Sequence, residues 1–305
     1  MLSLFLTVAF AQDGADTSST SSTSSTDDCA SKKSDTCDSD EEVEYTLEID
    51  GTEKGSLEVQ KGDVVLLTGE VTHDVFVSGG VLVIDGGTIG RDLEITGGEV
   101  DLVDAVIDRD LAGDGGELTL GDVDVSRDFI LVGTTYISSD GTSLVTDPGQ
   151  GITKGGRITV GRDFDLIGDL SRYDVIEMGG TIDAGRDINI DADVSVTISG
   201  TVSAGGDISV DAGSDGSVGA PAAAFISSSS GMVNLFNSNA AKLGGTIEGP
   251  DGVTISTEAP MTLSATIDWG RKGYSQTNDG EELACGAHTY YPTLDKPKVD
   301  YWKCL

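Results

Sequence analysis

The sequence predicts an all-β protein whose chain winds into a single-stranded parallel β-helix, or β-solenoid. Charged dipeptides begin blocks at residues 73, 91, 109 and 127, so three consecutive blocks are each 18 residues long. Short apolar-polar alternations fill each block, and glycine pairs separate them. A fixed period of this kind is typical of repeat folds whose units cannot bury a core alone.

Each block is expected to form about three short strands joined by tight bends. In the second block, Leu93 and Ile95 alternate with polar residues, Gly97-Gly98 follows, and Val100 and Leu102 alternate again. Alternation with period two indicates strands with one buried face, and glycine permits the positive φ of sharp corners. A β-sandwich of hairpins would also give short alternating strands, but it has no reason to keep an 18-residue period.

The period continues less strictly towards the C-terminus. Gly-Arg-Asp or Gly-Gly-Asp begins further blocks at Gly161, Gly185 and Gly205. We therefore predict about ten coils, stacked at roughly 4.8 Å, in a solenoid domain of residues 40–270. The alternating apolar residues at 43–49 predict a first strand that caps the N-terminal end.

Two stretches depart from the period. Residues 134–156 are predicted to form a loop that leaves the stack at a corner. Residues 214–245 form a second excursion, which is either a projecting binding loop or a poorly formed coil rich in alanine and serine. Insertions in solenoids often project from one face and carry binding.

The repeats resemble those of two known families. The runs SGTVSAGGDISVDAG and GGTIDAGRDINIDAD are similar to repeats of filamentous haemagglutinin-type secreted adhesins, and the strict blocks with Gly-Arg-Asp openers resemble bactofilins. The resemblance covers about two-thirds of the chain and rests on pattern, not on a site motif. It implies a right-handed β-helix and an adhesive or polymer-forming role. Neither family's pattern includes cysteine-containing ends.

The N-terminal residues predict secretion. Residues 1–11 are apolar and end in Ala9-Phe10-Ala11, which fits a signal peptide, although a buried first strand is the alternative. Residues 12–39 form a linker whose Ser/Thr-rich tract is too polar to fold. This tract suits O-glycosylation and a plain flexible linker equally. The expected location is extracellular or at the cell surface.

Four cysteines lie in two groups near the ends of the chain, at Cys29, Cys37, Cys285 and Cys304. An even number of cysteines behind a signal peptide predicts disulfides. Of the three possible connectivities, pairing within each group is the simplest if the solenoid keeps the ends apart. Zinc is disfavoured because no Cys-x-x-Cys spacing occurs and the two histidines have no partners at ligand spacing.

The formal net charge of −35 limits the partners of this chain. Such acidity repels nucleic acids and anionic membranes, and no segment is apolar for long enough to span a bilayer. It would attract cations, chiefly calcium, through carboxylate oxygens. Solubility in a salty medium explains the same charge, and both interpretations stay open. No other cofactor is predicted.

The C-terminal segment, residues 271–305, differs from the repeats in carrying many bases and aromatic residues. It is predicted to be a disulfide-closed cap, which either shields the last coil or docks onto another copy of the chain. Aromatic residues near bases often anchor interfaces. The assembly candidates in and beside this segment are Trp269, Tyr290, Tyr291, Tyr301 and Trp302.

The Arg-Asp openers are predicted to form a structural ladder. Equivalent residues of successive coils would lie about 5 Å apart, so each arginine is expected to pair with an aspartate of a neighbouring coil. As exposed ion pairs, each would contribute only ~0–1 kcal/mol. The ladder residues are Arg91, Asp92, Arg109, Asp110, Arg127 and Asp128.

No catalytic residue is predicted, because carboxylates occur everywhere and no Gly-x-Ser-x-Gly, His-Glu-x-x-His or phosphate-loop motif is present. The first expectation is therefore a secreted structural subunit that self-associates into a filament, coat or matrix. The second is an adhesin-like or calcium-binding module that contacts carbohydrate or other extracellular components. A polysaccharide-active β-helix enzyme is third, and its first sign would be a carboxylate-lined cleft beside residues 134–156.

Overall fold

The structure is a computed structural model that describes residues 44–132, 136–138, 152–154, 156–168, 175–239, 241–259, 261–269, 274–278 and 281–285. The chain divides into two units, Met1–Val43 and Glu44–Leu305, and every described residue belongs to the second unit. The predicted signal peptide at 1–11 and linker at 12–39 therefore lie outside the described residues.

The described residues form strands and contain no helix. Consequently, they include no helix that is long and apolar enough to cross a membrane. In chain order, the strands are β1 (Leu47–Ile49), β2 (Thr52–Glu53), β3 (Leu57–Val59), β4 (Val64–Leu67), β5 (Glu70–Val71), β6 (Val75–Asp85), β7 (Thr88–Ile89), β8 (Leu93–Val103), β9 (Ala105–Ile107), β10 (Leu111–Gly113), β11 (Glu117–Leu120), β12 (Val123–Val125), β13 (Phe129–Val132), β14 (Tyr136–Ser138), β15 (Ile152–Lys154), β16 (Arg157–Val160), β17 (Phe164–Gly168), β18 (Val175–Met178), β19 (Thr181–Ala184), β20 (Ile188–Ala192), β21 (Ser195–Ile198), β22 (Thr201–Ala204), β23 (Ile208–Asp211), β24 (Val218–Ala220), β25 (Phe225–Ser228), β26 (Met232–Asn237), β27 (Lys242–Leu243), β28 (Thr246–Gly249), β29 (Gly252–Thr257), β30 (Thr262–Leu263), β31 (Thr266–Trp269), β32 (Tyr274–Asn278) and β33 (Glu281–Cys285).

The strands stack as a parallel β-solenoid of about ten coils, which confirms the predicted fold class. Each coil has three sides. The first and second sides of the early coils share one 16-stranded sheet, because the 11-residue strands β6 and β8 run through both sides. The third side is an 11-stranded sheet from β2 to β31, and the second side of the later coils is a 6-stranded sheet from β15 to β30.

The coil length changes along the stack. Equivalent aspartates are 18 residues apart from Asp74 to Asp128, and the next three intervals, which end at Asp207, are 35, 24 and 20 residues. The predicted 18-residue coil thus holds only for the N-terminal part. The later coils are longer because extra residues enter at the corners, where they do not disturb the alternation that keeps apolar residues inside.

Apolar side chains from all three sides form one continuous core inside the stack. In β8, for example, Leu93, Ile95, Val100 and Leu102 point inward and are fully buried, while the residues between them are exposed or half-buried. The core also contains two stacked rings from successive coils. Phe129 and Phe164 lie with their ring centroids 4.8 Å apart, where the 18-residue coils give way to the longer ones.

Glycines turn the chain between the first and second sides of the early coils. Gly80 and Gly98 have φ values of 70° and 87°, and the next coil turns at Gly116 with a φ of 78°. These values lie in the left-handed region that residues with a Cβ rarely adopt. The predicted role of the glycine pairs is therefore confirmed at these corners.

The stretch 134–156 continues the stack at both of its ends. Strand β14 pairs in parallel with β11 of the preceding coil, and β15 pairs in parallel with β18 of the following coil. The prediction that the whole stretch leaves the stack was therefore wrong. This coil provides two second-side strands, one for each of its neighbours, and both lie within its 35-residue interval.

The stretch 214–245 is a regular part of the solenoid, so its prediction as an excursion was also wrong. It contains β24, β25, β26 and β27, each of which pairs in parallel with strands of the coils before and after it. Small inward residues such as Ala220 and Ser228 are buried here. The composition that suggested a loop is thus explained by small side chains that fill the core.

The parallel stack ends beyond the predicted boundary at residue 270. Strand β32 still pairs in parallel with β29, and β33 then folds back antiparallel on β32. Strand β33 is the last strand of the 16-stranded sheet. The segment predicted as a cap, 271–305, therefore begins with a strand that still belongs to the stack.

Candidate functional site

The Arg-Asp openers form a continuous ladder at the corner before the first side. Each arginine contacts an aspartate of the preceding coil, and the arginine side chains are 35–52% exposed. The pairs are Arg91–Asp74 at 3.4 Å, Arg109–Asp92 at 3.4 Å, Arg127–Asp110 at 2.8 Å, Arg162–Asp128 at 3.5 Å, and Arg186–Asp163.

The aspartates also bind the backbone of the following coil. The Oδ1 atom of Asp92 accepts a hydrogen bond from the backbone N–H of Asp110 at 3.2 Å, and the same contact recurs along the stack. The series begins at Asp74 and ends where Asp207 Oδ1 accepts the N–H of Met232 at 2.7 Å. These bonds satisfy N–H groups at a corner, where the strand pairing is interrupted.

The two parts of the ladder should contribute unequally to stability. Arg109→Ala removes a half-exposed ion pair, which is worth ~0–1 kcal/mol. Asp92→Ala also leaves the Asp110 N–H without its acceptor, so we expect a loss of about 1 kcal/mol beyond that of the arginine variant. Asp92→Asn keeps a side-chain oxygen, so its loss of stability in chemical denaturation should lie between those of Arg109→Ala and Asp92→Ala. Equal losses for Arg109→Ala and Asp92→Ala would show that the backbone contact contributes nothing.

A cavity of about 490 Å³ opens on the outer face of the third side, and two of its lining residues, Arg157 and Thr159, follow the stretch 134–156 in sequence. Its rim carries three carboxylates and one base, from Asp104, Asp122, Asp124 and Arg157. Asp122 is already engaged, because its Oδ1 accepts the backbone N–H of Arg157 at 2.7 Å. The lining offers a polyhydroxyl ligand several oxygen acceptors.

Four carboxylates lie close together on the outer face of the second side. Glu99 and Glu117 are directly opposite each other on β8 and β11, and Asp101 lies next to Asp85. Burial, together with the neighbouring Asp85 carboxylate, raises the pKa of Asp101. Burial, together with the neighbouring Glu99 carboxylate, raises the pKa of Glu117. One oxygen of Asp101 and one of Glu117 are buried without a hydrogen-bond partner.

These raised pKa values predict a pH effect with a definite sign. The folded protein binds protons at Asp101 and Glu117 more readily than the unfolded chain does, so their charged forms reduce stability at neutral pH. This penalty disappears as the pH falls through the raised values towards the ordinary values of 3.8 and 4.5. Asp101→Asn and Glu117→Gln should therefore raise Tm at pH 7, and their advantage over wild type should shrink on acidification.

The matched control for this pH effect is Asp124→Asn, which removes one exposed carboxylate from the outer face of the third side. Thermal melts of the three variants and wild type between pH 3 and pH 7 give the comparison. A constant difference from wild type over the whole range would contradict the assignment of the effect to Asp101 and Glu117.

Sequence reasoning missed an apolar area on the same outer face. Val64 and Leu66 of β4 and Val81 and Val83 of β6 point outward and are half-buried, and we call these four residues the aliphatic patch. The sequence contained a signal for this area. Val64–Leu67 and Val81–Ile84 are continuous apolar runs, whereas a strand that is buried on one face only alternates apolar and polar residues. Such runs are typical of strands covered on both faces.

Most of the predicted assembly residues and cysteines lie outside the described residues. These are Tyr290, Tyr291, Tyr301, Trp302, Cys29, Cys37 and Cys304, while Cys285 is the last residue of β33. Trp269 is only 4% exposed, because it occupies an inward position of β31 and belongs to the hydrophobic core. We therefore remove Trp269 from the assembly candidates. In the described part of the chain, no three His, Cys, Asp or Glu side chains are grouped to hold a metal ion.

No family model matches this chain, and neither curated proteins nor solved structures gave a match. The parallel β-solenoid is thus established by the strand pairing itself.

Proposed function

We propose that this chain is a secreted structural protein that assembles, end to end or side by side, into an extracellular filament, coat or matrix. In this proposal the solenoid is right-handed, and disulfides within the cysteine pairs Cys29/Cys37 and Cys285/Cys304 stabilise its ends. The resemblance of the repeats to those of haemagglutinin-type adhesins and bactofilins supports the proposal.

The observation that carries the proposal is the unbroken ladder from Asp74 to Met232. The ladder crosses the change from 18-residue to longer coils without losing a rung, so each coil is held in register with the next. A long, regular and highly charged stack suits a load-bearing or surface-covering element. The apolar Leu47, which is 43% exposed on the first strand of the described residues, suits contact with a neighbour.

Negative-stain electron microscopy of the oxidised, purified chain tests this proposal, with and without millimolar calcium. We expect filaments or sheets at protein concentrations at which a monomer would give isolated short particles. Isolated particles at all protein, salt and calcium concentrations would contradict assembly.

The second candidate function is an adhesin-like binding module for carbohydrate, and the cavity rimmed by Asp104, Asp122 and Asp124 favours it. Carboxylate oxygens are acceptors for sugar hydroxyls. In that case the monomer should gain thermal stability with a glycan, and Asp124→Asn should reduce the gain. A gain that Asp124→Asn leaves unchanged would exclude this cavity as the site.

A further inference from the structure

The aliphatic patch is a compact apolar area on an acidic protein, and other outward apolar residues, such as Phe76, Val132 and Ile167, lie on the first side. Val64 pairs with Val81, and Leu66 pairs with Val83, so the four side chains form one compact area over two coils. Two coils further along the second side, the positions in register with Val81 and Val83 carry Glu117 and Thr119. An apolar area on the surface of a protein often marks a site that a binding partner covers.

Carboxylates border the patch in both directions along the stack. Glu48 of β1 pairs with Leu66 on one flank. On the other flank, Glu99 pairs with Val81 and Asp101 pairs with Val83. A group that covers this area must therefore be apolar at its centre and positively charged at its edges, because a second acidic surface would be repelled.

One segment of this chain has that chemistry. Residues 286–305, which lie outside the described residues, carry Tyr290, Tyr291, Tyr301 and Trp302 together with three lysines and only two aspartates. The segment is therefore slightly basic, whereas the whole chain has a formal net charge of −35. The segment follows β33 at the C-terminal end of the stack, and twenty extended residues span at most about 70 Å. It is therefore long enough to reach a neighbouring copy.

We propose that the aliphatic patch is the docking site for the C-terminal segment, residues 286–305, of a second copy of this chain. The inference rests on the proposed assembly and names the two surfaces that meet. In the proposed contact, aromatic rings of the segment would cover the four aliphatic side chains, and Lys296 and Lys298 would lie against the carboxylates at the edge. Because every copy carries both surfaces, the contact is heterologous and can repeat from copy to copy.

The test measures the self-association of the full chain by sedimentation velocity over a concentration series. The double variant Val81→Thr/Val83→Thr keeps β-branched residues on the outer face but places hydroxyls in the contact. We expect the dissociation constant to rise at least about tenfold, because the hydroxyls must be desolvated without partners. The matched control is Val106→Thr, the same change at a half-buried outward position of β9 on the third side.

A charge exchange identifies the occupant of the patch. Lys296→Glu/Lys298→Glu should weaken association, and so should Glu99→Lys/Asp101→Lys. A chain that carries all four changes should recover most of the wild-type association, because the opposite charges face each other again.

Each outcome supports or overturns a separate part of the proposal. Association by the patch variant as tight as wild type overturns the docking site while leaving assembly in place. If the patch variant associates more weakly but the chain with all four charge changes does not recover association, another surface covers the patch. That result overturns the C-terminal segment as its occupant. A wild-type chain that stays monomeric overturns the contact between copies. A patch that is covered by the C-terminal segment of the same copy overturns it too, and the docking contact then no longer supports assembly.

Discussion

Replacing Phe129 with alanine should lower the free energy of unfolding by about 3–5 kcal/mol, the usual cost of removing a buried aromatic ring. The Phe129 side chain is completely buried and stacks on Phe164 of the next coil, with 4.8 Å between ring centroids. Local collapse cannot easily fill the space, because the coils on both sides are held by their own strand pairing. Urea unfolding followed by far-ultraviolet circular dichroism measures the loss.

The same variant should also reduce the cooperativity of unfolding. In a solenoid each coil contacts only its neighbours, so a defect at one level weakens the link between the parts above and below it. Phe129 lies where the 18-residue coils meet the longer ones, and hydrogen exchange should show the two parts opening separately. Phe76→Ala is the matched control, because Phe76 is 37% exposed on an outward position of β6. A comparable loss in both variants would contradict a special role for the stacked pair.

Replacing Gly205 with alanine should destabilise the stack by about 2–3 kcal/mol, in the range expected for overpacking. A Cβ atom at this position would lie well inside van der Waals contact of the Gly185 carbonyl oxygen in the preceding coil. Gly185 is in the same relation to Gly161, so the glycines of successive openers form one column. The neighbouring atom is backbone, and it can move only if the coil spacing changes.

Gly51→Ala is the control for this prediction. No atom lies within 4 Å of a Cβ at that position, and its φ is outside the left-handed region. We expect no loss, or a gain of up to about 1 kcal/mol from the smaller entropy of the unfolded chain. Thermal melts of both variants give the comparison. An equal loss of stability in both would contradict the view that close contact between successive coils requires glycine at Gly205.

Some features of the fold follow from local pattern and were predictable. The alternation of Leu93, Ile95, Val100 and Leu102 determines which side chains point inward, since a strand alternates its faces residue by residue. The 18-residue period predicts that Arg109 lies beside the aspartate of the preceding coil. Both predictions need only the spacing of residues along the chain.

Other features were not predictable because they depend on which segments meet in space. The stretches 134–156 and 214–245 have a composition typical of loops, yet their strands pair with neighbouring coils, since backbone pairing places few demands on side chains. Trp269 belongs to an aromatic-rich region of the sequence, but the phase of β31 places it inside. The aliphatic patch was missed because a continuous apolar run predicts burial without showing what provides it.

The sequence by itself therefore determined the repeating strand, the inward and outward phase of its residues and the composition of the Arg-Asp ladder. These properties depend on neighbours a few residues apart or on one constant period. Only the tertiary structure decided that strands within 134–156 and 214–245 pair with neighbouring coils, why Gly205 excludes a side chain, and that the carboxylates at Glu99, Asp101 and Glu117 border an aliphatic area. Each of these features depends on contacts between successive coils, and the register of the coils is determined by the stacking of the whole core.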